Sequence, residues 1–325
     1  MKERILGFDL ARVVSMLYII AVYHILGYTS ILHHNSLVLA LVNCSLGTFT
    51  FLSSFLIISR YSFNDKNDTL HYYKKRVIRI YPLFFITSII LLLMGFNDLP
   101  KTIKGLLAIS PLWGPHPRTL WYIAMLLLFY IVTPLLARGN ILKKSITYII
   151  LNVVFVILSL VLDHINLATF FYFAIYFIGV ILGAHFHDKV IDILKSPKSL
   201  FISFFALVIL LVNIFVDNNY YRFFSGFCGI FMILNVSYII GDKSSKDNNK
   251  FVSTIELASY ASMCAYLFHR ECYEIMLKVY LPENPYVLIS YLFFIGVPIV
   301  LILSFYIQKI YDSIVKKYDN SQVRK

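Results

Sequence analysis

Residues 8–27 read FDLARVVSMLYIIAVYHILG, an apolar run long enough to cross a lipid bilayer as a helix. The run carries three ionisable side chains, those of Asp9, Arg12 and His24. A charged group inside hydrocarbon costs several kcal/mol, so each of them needs a structural or chemical reason. The charged lead before the run is typical of a signal peptide. No small-x-small cleavage site accompanies it, however, and we interpret the run as a retained first span.

The whole chain has the composition of an integral membrane protein. Of its 325 residues 59% are hydrophobic and 14% are charged, and the mean hydropathy is +0.75. Soluble domains usually carry about 25% charged residues. The sequence therefore predicts an all-α, polytopic membrane protein in which residues 1–325 form a single transmembrane domain without a separate soluble domain. About ten spans are predicted, at residues 8–27, 37–59, 80–96, 120–137, 146–162, 168–184, 200–217, 220–241, 259–281 and 286–308.

The net charge of +12 is carried by short segments between the apolar runs. This distribution is typical of topology signals and lipid contacts, so membrane lipid is an expected partner and nucleic acid is not. With the N-terminus inside, 22 of the 29 Lys and Arg residues lie in inner segments and 4 lie in outer loops. The asymmetry predicts that both termini are cytoplasmic. The four cysteines all lie in apolar segments, and no metal-ligand spacing occurs, so we expect no metal site.

The first span contains the best candidate for a general base. Asp9 and Arg12 are three residues apart and can pair on one helix face. His24 lies further along the same span, and imidazole is the side chain best suited to take a proton from a hydroxyl near neutral pH. The alternative is an interfacial histidine that caps the end of the helix.

The ninth span contains a second group of ionisable residues. Arg270, Glu274 and Lys278 follow i, i+4 spacing and could form a self-neutralised ladder of purely structural value. His269 and Glu271 lie outside that ladder. His269 is either a hydrogen-bonded packing residue or a functional one, and the spacing does not decide between them.

The densest cation cluster lies in the second inner segment, and its members are Lys74, Lys75, Arg76 and Arg79. Basic segments beside a span commonly bind lipid headgroups. The same residues could bind the phosphates of a nucleotide-bearing cofactor, for which the guanidinium group is geometrically suited. The cluster alone favours neither interpretation.

Five motifs resemble those of the membrane-bound acyltransferase-3 family and occur in the order found there. They are FDLARVVSMLYIIAVYH (8–24), TFLSSFLI (50–57), KKRVIRIYP (74–82), LWYIAMLLLFYIVTP (120–134) and AYLFH (265–269). The resemblance implies transfer of an acyl group, often acetyl, from cytoplasmic acyl-CoA to a hydroxyl of a carbohydrate. The acceptor would be an envelope or exported polysaccharide, and the location would be the bacterial cytoplasmic membrane.

The resemblance also implies roles for individual residues. His24 would be the catalytic base and Arg12 would assist it. Arg76 and Arg79, with the neighbouring Lys75, would bind the acyl-CoA donor. His269 would be a third catalytic residue. The substrate cavity would be lined by Asp9, Tyr23, Trp121 and Arg270.

The chain departs from the family pattern in two places. Ser54 stands where the family usually has glycine. The larger serine side chain would narrow a close contact between two helices. Eleven residues, rather than the usual ten, separate Arg12 from His24. In a straight α-helix this spacing would place the two side chains about 120° apart, whereas a one-residue π-bulge would reduce the angle to about 20°. We predict such a bulge; without it His24 would face lipid and Tyr23 would take its place.

A transporter or flippase for a glycan or a lipid-linked intermediate is the main alternative. Buried charges and ten spans fit that function equally well. Many transporters, however, contain repeats with paired, broken helices, and here Pro134 and Pro298 do not fall at matching places in two halves. A purely structural membrane protein is a third possibility, against which the ionisable residues within the spans argue. We favour the enzyme.

Overall fold

In the computed structural model, which describes residues 4–29, 31, 35–244 and 250–323, every regular element is a helix. Twelve helices follow one another along this part of the chain. They are α1 (Leu6–Leu26), α2 (Ser36–Ile58), α3 (Lys66–Leu93), α4 (Leu99–Leu106), α5 (Trp121–Ala137), α6 (Ile141–Val161), α7 (Leu167–His185), α8 (His187–Lys195), α9 (Ser199–Leu211), α10 (Asn219–Ser244), α11 (Lys250–Val279) and α12 (Pro285–Tyr291, Leu292–Gly296 and Val297–Val323).

The long helices account for the predicted spans. Eight of them are long and apolar enough to cross a membrane, namely α1, α2, α3, α6, α7, α10, α11 and α12. A ninth candidate is the pair formed by α8 and α9, which is bent by 82°. With 17 residues, α5 is at the lower limit of spanning length. Each of the ten predicted segments therefore corresponds to an apolar helix, and the prediction of an all-α polytopic membrane protein is confirmed.

The third span is part of a longer helix than the apolar pattern indicates. The side chain of Asp65 accepts a hydrogen bond from the backbone N–H of Asp68 at 2.8 Å and caps the N-terminus of α3. The basic stretch before the apolar run is consequently helical. Its cations lie on a helix that continues into the predicted span.

The chain divides into two compact units, and the first comprises Phe49–Ile193. Within it, a Cβ atom on Gly179 of α7 would overlap the Oγ atom of Ser54, and one on Gly183 would meet the backbone of Phe55. Small residues of this kind allow two membrane helices to approach closely. The narrow contact expected at Ser54 is therefore present, with the required glycines on the facing helix.

The second unit comprises Arg4–Thr48 and Leu194–Lys325. In this unit α1 packs against α10 and α11, and α11 packs against α12. Gly7 and Gly241 lie where the backbones of α1 and α10 meet, and a Cβ atom on Gly7 would lie 2.5 Å from the Cα atom of Tyr238. This packing fixes α1 beside α11, and the two helices carry the candidate catalytic residues.

Candidate active site

The first span is interrupted by a π-helix at Tyr18–Tyr23, directly before His24. The predicted bulge between Arg12 and His24 is thus confirmed. The hydroxyl of Tyr273 donates to the backbone carbonyl of Ile20 at 3.1 Å, and the hydroxyl of Tyr18 donates to the carbonyl of Val38 at 2.9 Å. These bonds hold the π-helix against its neighbours, and one inserted residue turns His24 back to within about 20° of Arg12 around the helix axis.

His24 lies against His269 of α11. The Nδ1 atom of His24 is 2.6 Å from the Nε2 atom of His269, and the two ring planes are inclined by only 16°. The side chain of His269 is completely buried, and its Nδ1 atom is 2.8 Å from the carbonyl oxygen of Tyr266. The two histidines, 245 residues apart in the sequence, therefore form a hydrogen-bonded pair inside the helix bundle.

The hydrogen-bond partners define the tautomers of the pair. A carbonyl oxygen accepts only, so His269 carries its proton on Nδ1 and uses Nε2 as an acceptor. His24 then donates from Nδ1 to His269, which leaves the lone pair of His24 on Nε2. A base oriented by a second group, which is itself oriented by a third, is the arrangement found in enzymes that activate a hydroxyl.

Asp9 lies at the centre of a polar cluster that includes Arg12. The carboxylate is 5% exposed and lies 3.3 Å from Nη1 of Arg12, as the three-residue spacing predicted. It also pairs with Arg4 and accepts a hydrogen bond from the hydroxyl of Ser259 on α11 at 2.7 Å. The cluster joins α1 to α11 and holds Arg12 in place.

The ladder considered for the ninth span is formed only in part. The Nε atom of Arg270 is 3.7 Å from the carboxylate of Glu274, and its guanidinium carbon lies 4.9 Å from the ring centre of Tyr28. Lys278 is exposed and has no ion pair with any residue that the structure describes. Tyr23 lies beside the histidine pair, with its ring centre 5.2 Å from that of His24.

The three candidate donor-binding cations lie on α3, in the first unit. Lys75 and Arg79 are exposed. The guanidinium carbon of half-buried Arg76 lies 5.6–5.9 Å from the ring centres of three tyrosines, which are Tyr61, Tyr72 and Tyr130. Among the described residues, no carboxylate is within ion-pair distance of Arg76, so its positive charge is available to an anion.

Sequence reasoning missed the tyrosines around Arg76, although Pro134 was a signal for them. A proline cannot bond the carbonyl four residues before it, which here is the carbonyl of Tyr130. The hydroxyl of Tyr72 donates to that carbonyl at 3.2 Å, and the hydroxyl of Tyr73 donates to the next one, of Ile131, at 2.6 Å. These bonds attach α3 to α5 and place Tyr72 and Tyr130 beside Arg76.

Trp121 is the first residue of α5, and its ring packs near those of Tyr122 and Tyr172 at 6.0 and 6.1 Å between centres. It belongs to the first unit together with the donor-binding candidates, whereas the histidine pair and Asp9 belong to the second. Within the described part of the chain, no group of three or more His, Cys, Asp or Glu side chains could hold a metal ion.

Membrane-spanning helices that carry a hydrogen-bonded histidine pair, of which His269 is fully buried, are consistent with a membrane enzyme that activates a hydroxyl. The chain matches the acyltransferase-3 family, described as an acyltransferase domain, over residues 5–309. Since the match covers nearly the whole chain, the protein belongs to this family and is an acyltransferase. Neither the comparison with curated proteins nor the comparison with solved structures gives a match.

Proposed function

We propose that the protein transfers an acyl group, in the first instance acetyl, from cytoplasmic acyl-CoA to a hydroxyl of an envelope or exported polysaccharide in a bacterial cytoplasmic membrane. The observation that carries this proposal is the contact between His24 and His269. The pair presents a basic nitrogen inside a membrane protein of an acyltransferase family, and such a nitrogen is what a hydroxyl acceptor requires.

In the proposed reaction the Nε2 atom of His24 takes the proton of the acceptor hydroxyl while the oxygen attacks the thioester carbonyl. The new C–O ester bond forms, the C–S bond breaks, and CoA leaves as the thiolate, which the displaced proton neutralises. His269 stabilises the imidazolium through the bond to Nδ1. Arg12 lies about 18 Å before His24 along α1, and its guanidinium pairs with Asp9. In the proposed reaction it assists through long-range positive charge rather than by contact with the oxyanion.

The acyl donor is proposed to bind through its phosphates to the cations of α3. Arg76 supports this role because aromatic rings surround it and no described carboxylate neutralises it. Guanidinium groups bind phosphate by paired hydrogen bonds. The exposed Lys75 and Arg79 would add charge around the same ligand.

The catalytic proposal is tested by CoA release from acetyl-CoA, using purified protein in lipid nanodiscs with an extract of envelope glycan. Replacing His24→Ala should lower the glycan-dependent rate by roughly 10²–10⁴-fold, the usual contribution of a general base. The variant His185→Ala, at an exposed histidine of α7, is the matched control and should keep the wild-type rate. Release that persists without His24 would contradict its assignment as the base.

The donor proposal is tested by acyl-CoA binding to the same preparations. Replacing Arg76 and Arg79 together by Gln should weaken binding, whereas Arg60→Gln, at an exposed arginine outside the cluster, should not. If the double variant binds acyl-CoA as tightly as the wild type, the donor proposal is contradicted and the cluster is assigned to lipid binding.

A further inference from the structure

A row of polar side chains runs along the contact between α11 and α12, and the mechanism above does not use it. At one end the hydroxyl of Tyr260 donates to Asp312 at 2.5 Å, and both side chains are exposed. The amide of Gln308 donates to the other oxygen of Asp312 at 2.8 Å. The thiol of buried Cys264 donates to Gln308 at 3.1 Å. The row thus leads from the surface into the bundle.

Two further polar groups continue the row inward. Glu271 is seven residues from Cys264, so it lies on the same face of α11, about 20° away around the axis and about 10 Å further along it. Ser304 is one turn from Gln308 on α12, about 6 Å along the axis. It is completely buried and its hydroxyl has no hydrogen-bond partner in the described part of the protein. Ser304 therefore lies at a level between Cys264 and Glu271.

Glu271 is the inner end of the row and has no partner for either carboxyl oxygen among the described residues. Its side chain is only 4% exposed. The neighbouring cation, Arg270, is engaged by Glu274 and by the ring of Tyr28. A carboxyl group in such a place is stabilised by a proton, a cation or ordered water, and the unpartnered hydroxyl of Ser304 offers a second polar group for water.

We infer that this row lines a proton path that links Glu271 to the end of the helix pair at Asp312, with water carrying the proton past the amide of Gln308 and between Ser304 and Glu271. Lysine and arginine counts assign that end to the cytoplasm. Ionisable groups buried in membrane spans commonly belong to such relays. The ligand of the path is the proton itself, which Tyr260, Asp312 and Glu271 can each hold.

The chemistry of acyl transfer gives the path a purpose, and this part rests on the proposed function. The acceptor hydroxyl loses its proton to His24, whereas the thiolate of CoA gains one, so the overall reaction releases none. If CoA leaves on the cytoplasmic side, the proton must travel from the histidine pair to that side. Glu271 is two residues from His269 on α11, about 3 Å along the axis but on another face, so water carries the proton between them.

The path is tested without any transfer activity, by infrared spectroscopy of the full chain in nanodiscs during exchange from H₂O to D₂O. We expect a carbonyl stretch from a protonated carboxyl group that is lost in Glu271→Gln and kept in Glu274→Gln, the matched control on the same helix. The band should shift on exchange. Ser304→Ala and Gln308→Leu should each slow the shift by about tenfold or more, which corresponds to about 1.4 kcal/mol in the barrier.

Three spectroscopic results would overturn the path: no such band in the wild type, a band that never exchanges, or equal exchange rates in all variants. Ser304→Ala changes side-chain volume little, so the test survives if Gln308→Leu fails to fold. The role in transfer is tested separately, because Glu271→Gln should slow CoA release and leave acyl-CoA binding unchanged. An unchanged rate would overturn that role, whereas absence of turnover in the wild type would refute the proposed function and leave the spectroscopic result standing.

Discussion

Asp9 shows how one side chain positions the catalytic helix. Its carboxylate is almost fully buried and receives Arg4, Arg12 and the hydroxyl of Ser259. Because Ser259 belongs to α11, the same helix as His269, the cluster fixes the two helices that bring the histidines together. Removing the carboxylate would break its ion pair with Arg12, whose side chain is 28% exposed.

We therefore predict that Asp9→Asn destabilises the protein by about 2 kcal/mol, less than a fully buried pair would cost because Arg12 is partly hydrated. Thermal unfolding in detergent measures the loss. Glu256→Gln is the control, since its ion pair with Arg4 is exposed and contributes at most about 1 kcal/mol. Equal effects of the two substitutions would contradict the role assigned to Asp9.

Single residues differ in how far the sequence predicts them. The pairing of Asp9 with Arg12 follows from helical spacing, and the close contact at Ser54 follows from residue size. The partners Ser259 and His269 could not be predicted, because they lie some 250 and 245 residues away and depend on how α1 packs against α11. Spacing rules describe one helix at a time.

At the scale of elements, the π-helix at Tyr18–Tyr23 decides where His24 points. If it is a one-residue insertion, deleting Ile19 should restore a continuous α-helix and leave His24 and Arg12 in the same relative orientation. We predict that this deletion keeps glycan-dependent CoA release within about tenfold of the wild type, a change of at most about 1.4 kcal/mol in the barrier.

Inserting an alanine after Ile19 is the matched control for the deletion. It should turn His24 by about 100° and lower the rate by roughly 10²-fold or more, as expected when a general base is lost. A deletion variant as inactive as the insertion variant would show that the π-helix does not set the register of His24.

The connections that precede α5 and α7 contain a histidine pair of a different kind. The Nε2 atoms of His116 and His164 are 3.0 Å apart. Burial, together with the nearby His164, lowers the pKa of His116 from 6.5 to about 4. In the unfolded chain His116 therefore takes up a proton at a higher pH than in the folded chain. Protonation thus favours the unfolded chain, and the free energy of unfolding decreases as the pH falls from about 6.5 to about 4.

We predict that the unfolding temperature decreases from neutral pH towards about pH 4.5, and that His116→Gln makes this dependence shallower. Thermal unfolding in nanodiscs at a series of pH values measures both. The control His71→Ala removes an exposed histidine of α3 and should change the slope less than His116→Gln does. If the unfolding temperature depends on pH equally in His116→Gln and in the wild type, the role assigned to His116 is contradicted.

At the scale of the whole molecule, the distribution of basic residues predicts that both termini are cytoplasmic. The reporter is a phosphatase that is active only when its own disulfides have formed. Fused after residue 325, it should be inactive in bacterial cells, because disulfides form outside the cytoplasm. The same enzyme inserted after Trp113, in a predicted outer loop, should be active. If the fusion after residue 325 is active and the insertion after Trp113 is inactive, the predicted topology and the direction of the proton path are both contradicted.

The overall architecture was the most predictable part of the molecule, because twenty apolar residues in a bilayer have few alternatives to a helix. All ten predicted segments are helical, but α3 begins well before its apolar run, where the cap at Asp65 extends it. The tyrosines around Arg76 and the polar row between α11 and α12 were not predictable in the same way. Both are formed by residues from separate helices, and no single-helix pattern encodes them.

A double-mutant cycle tests most directly the claim that His24 and His269 act as one base. Glycan-dependent CoA release is measured for the wild type, His24→Ala, His269→Ala and the double variant. Residues that act as a unit show strongly non-additive losses, so the double variant should be no slower than the slower single variant. Losses that multiply in the double variant would show that the two histidines act independently and would contradict the account.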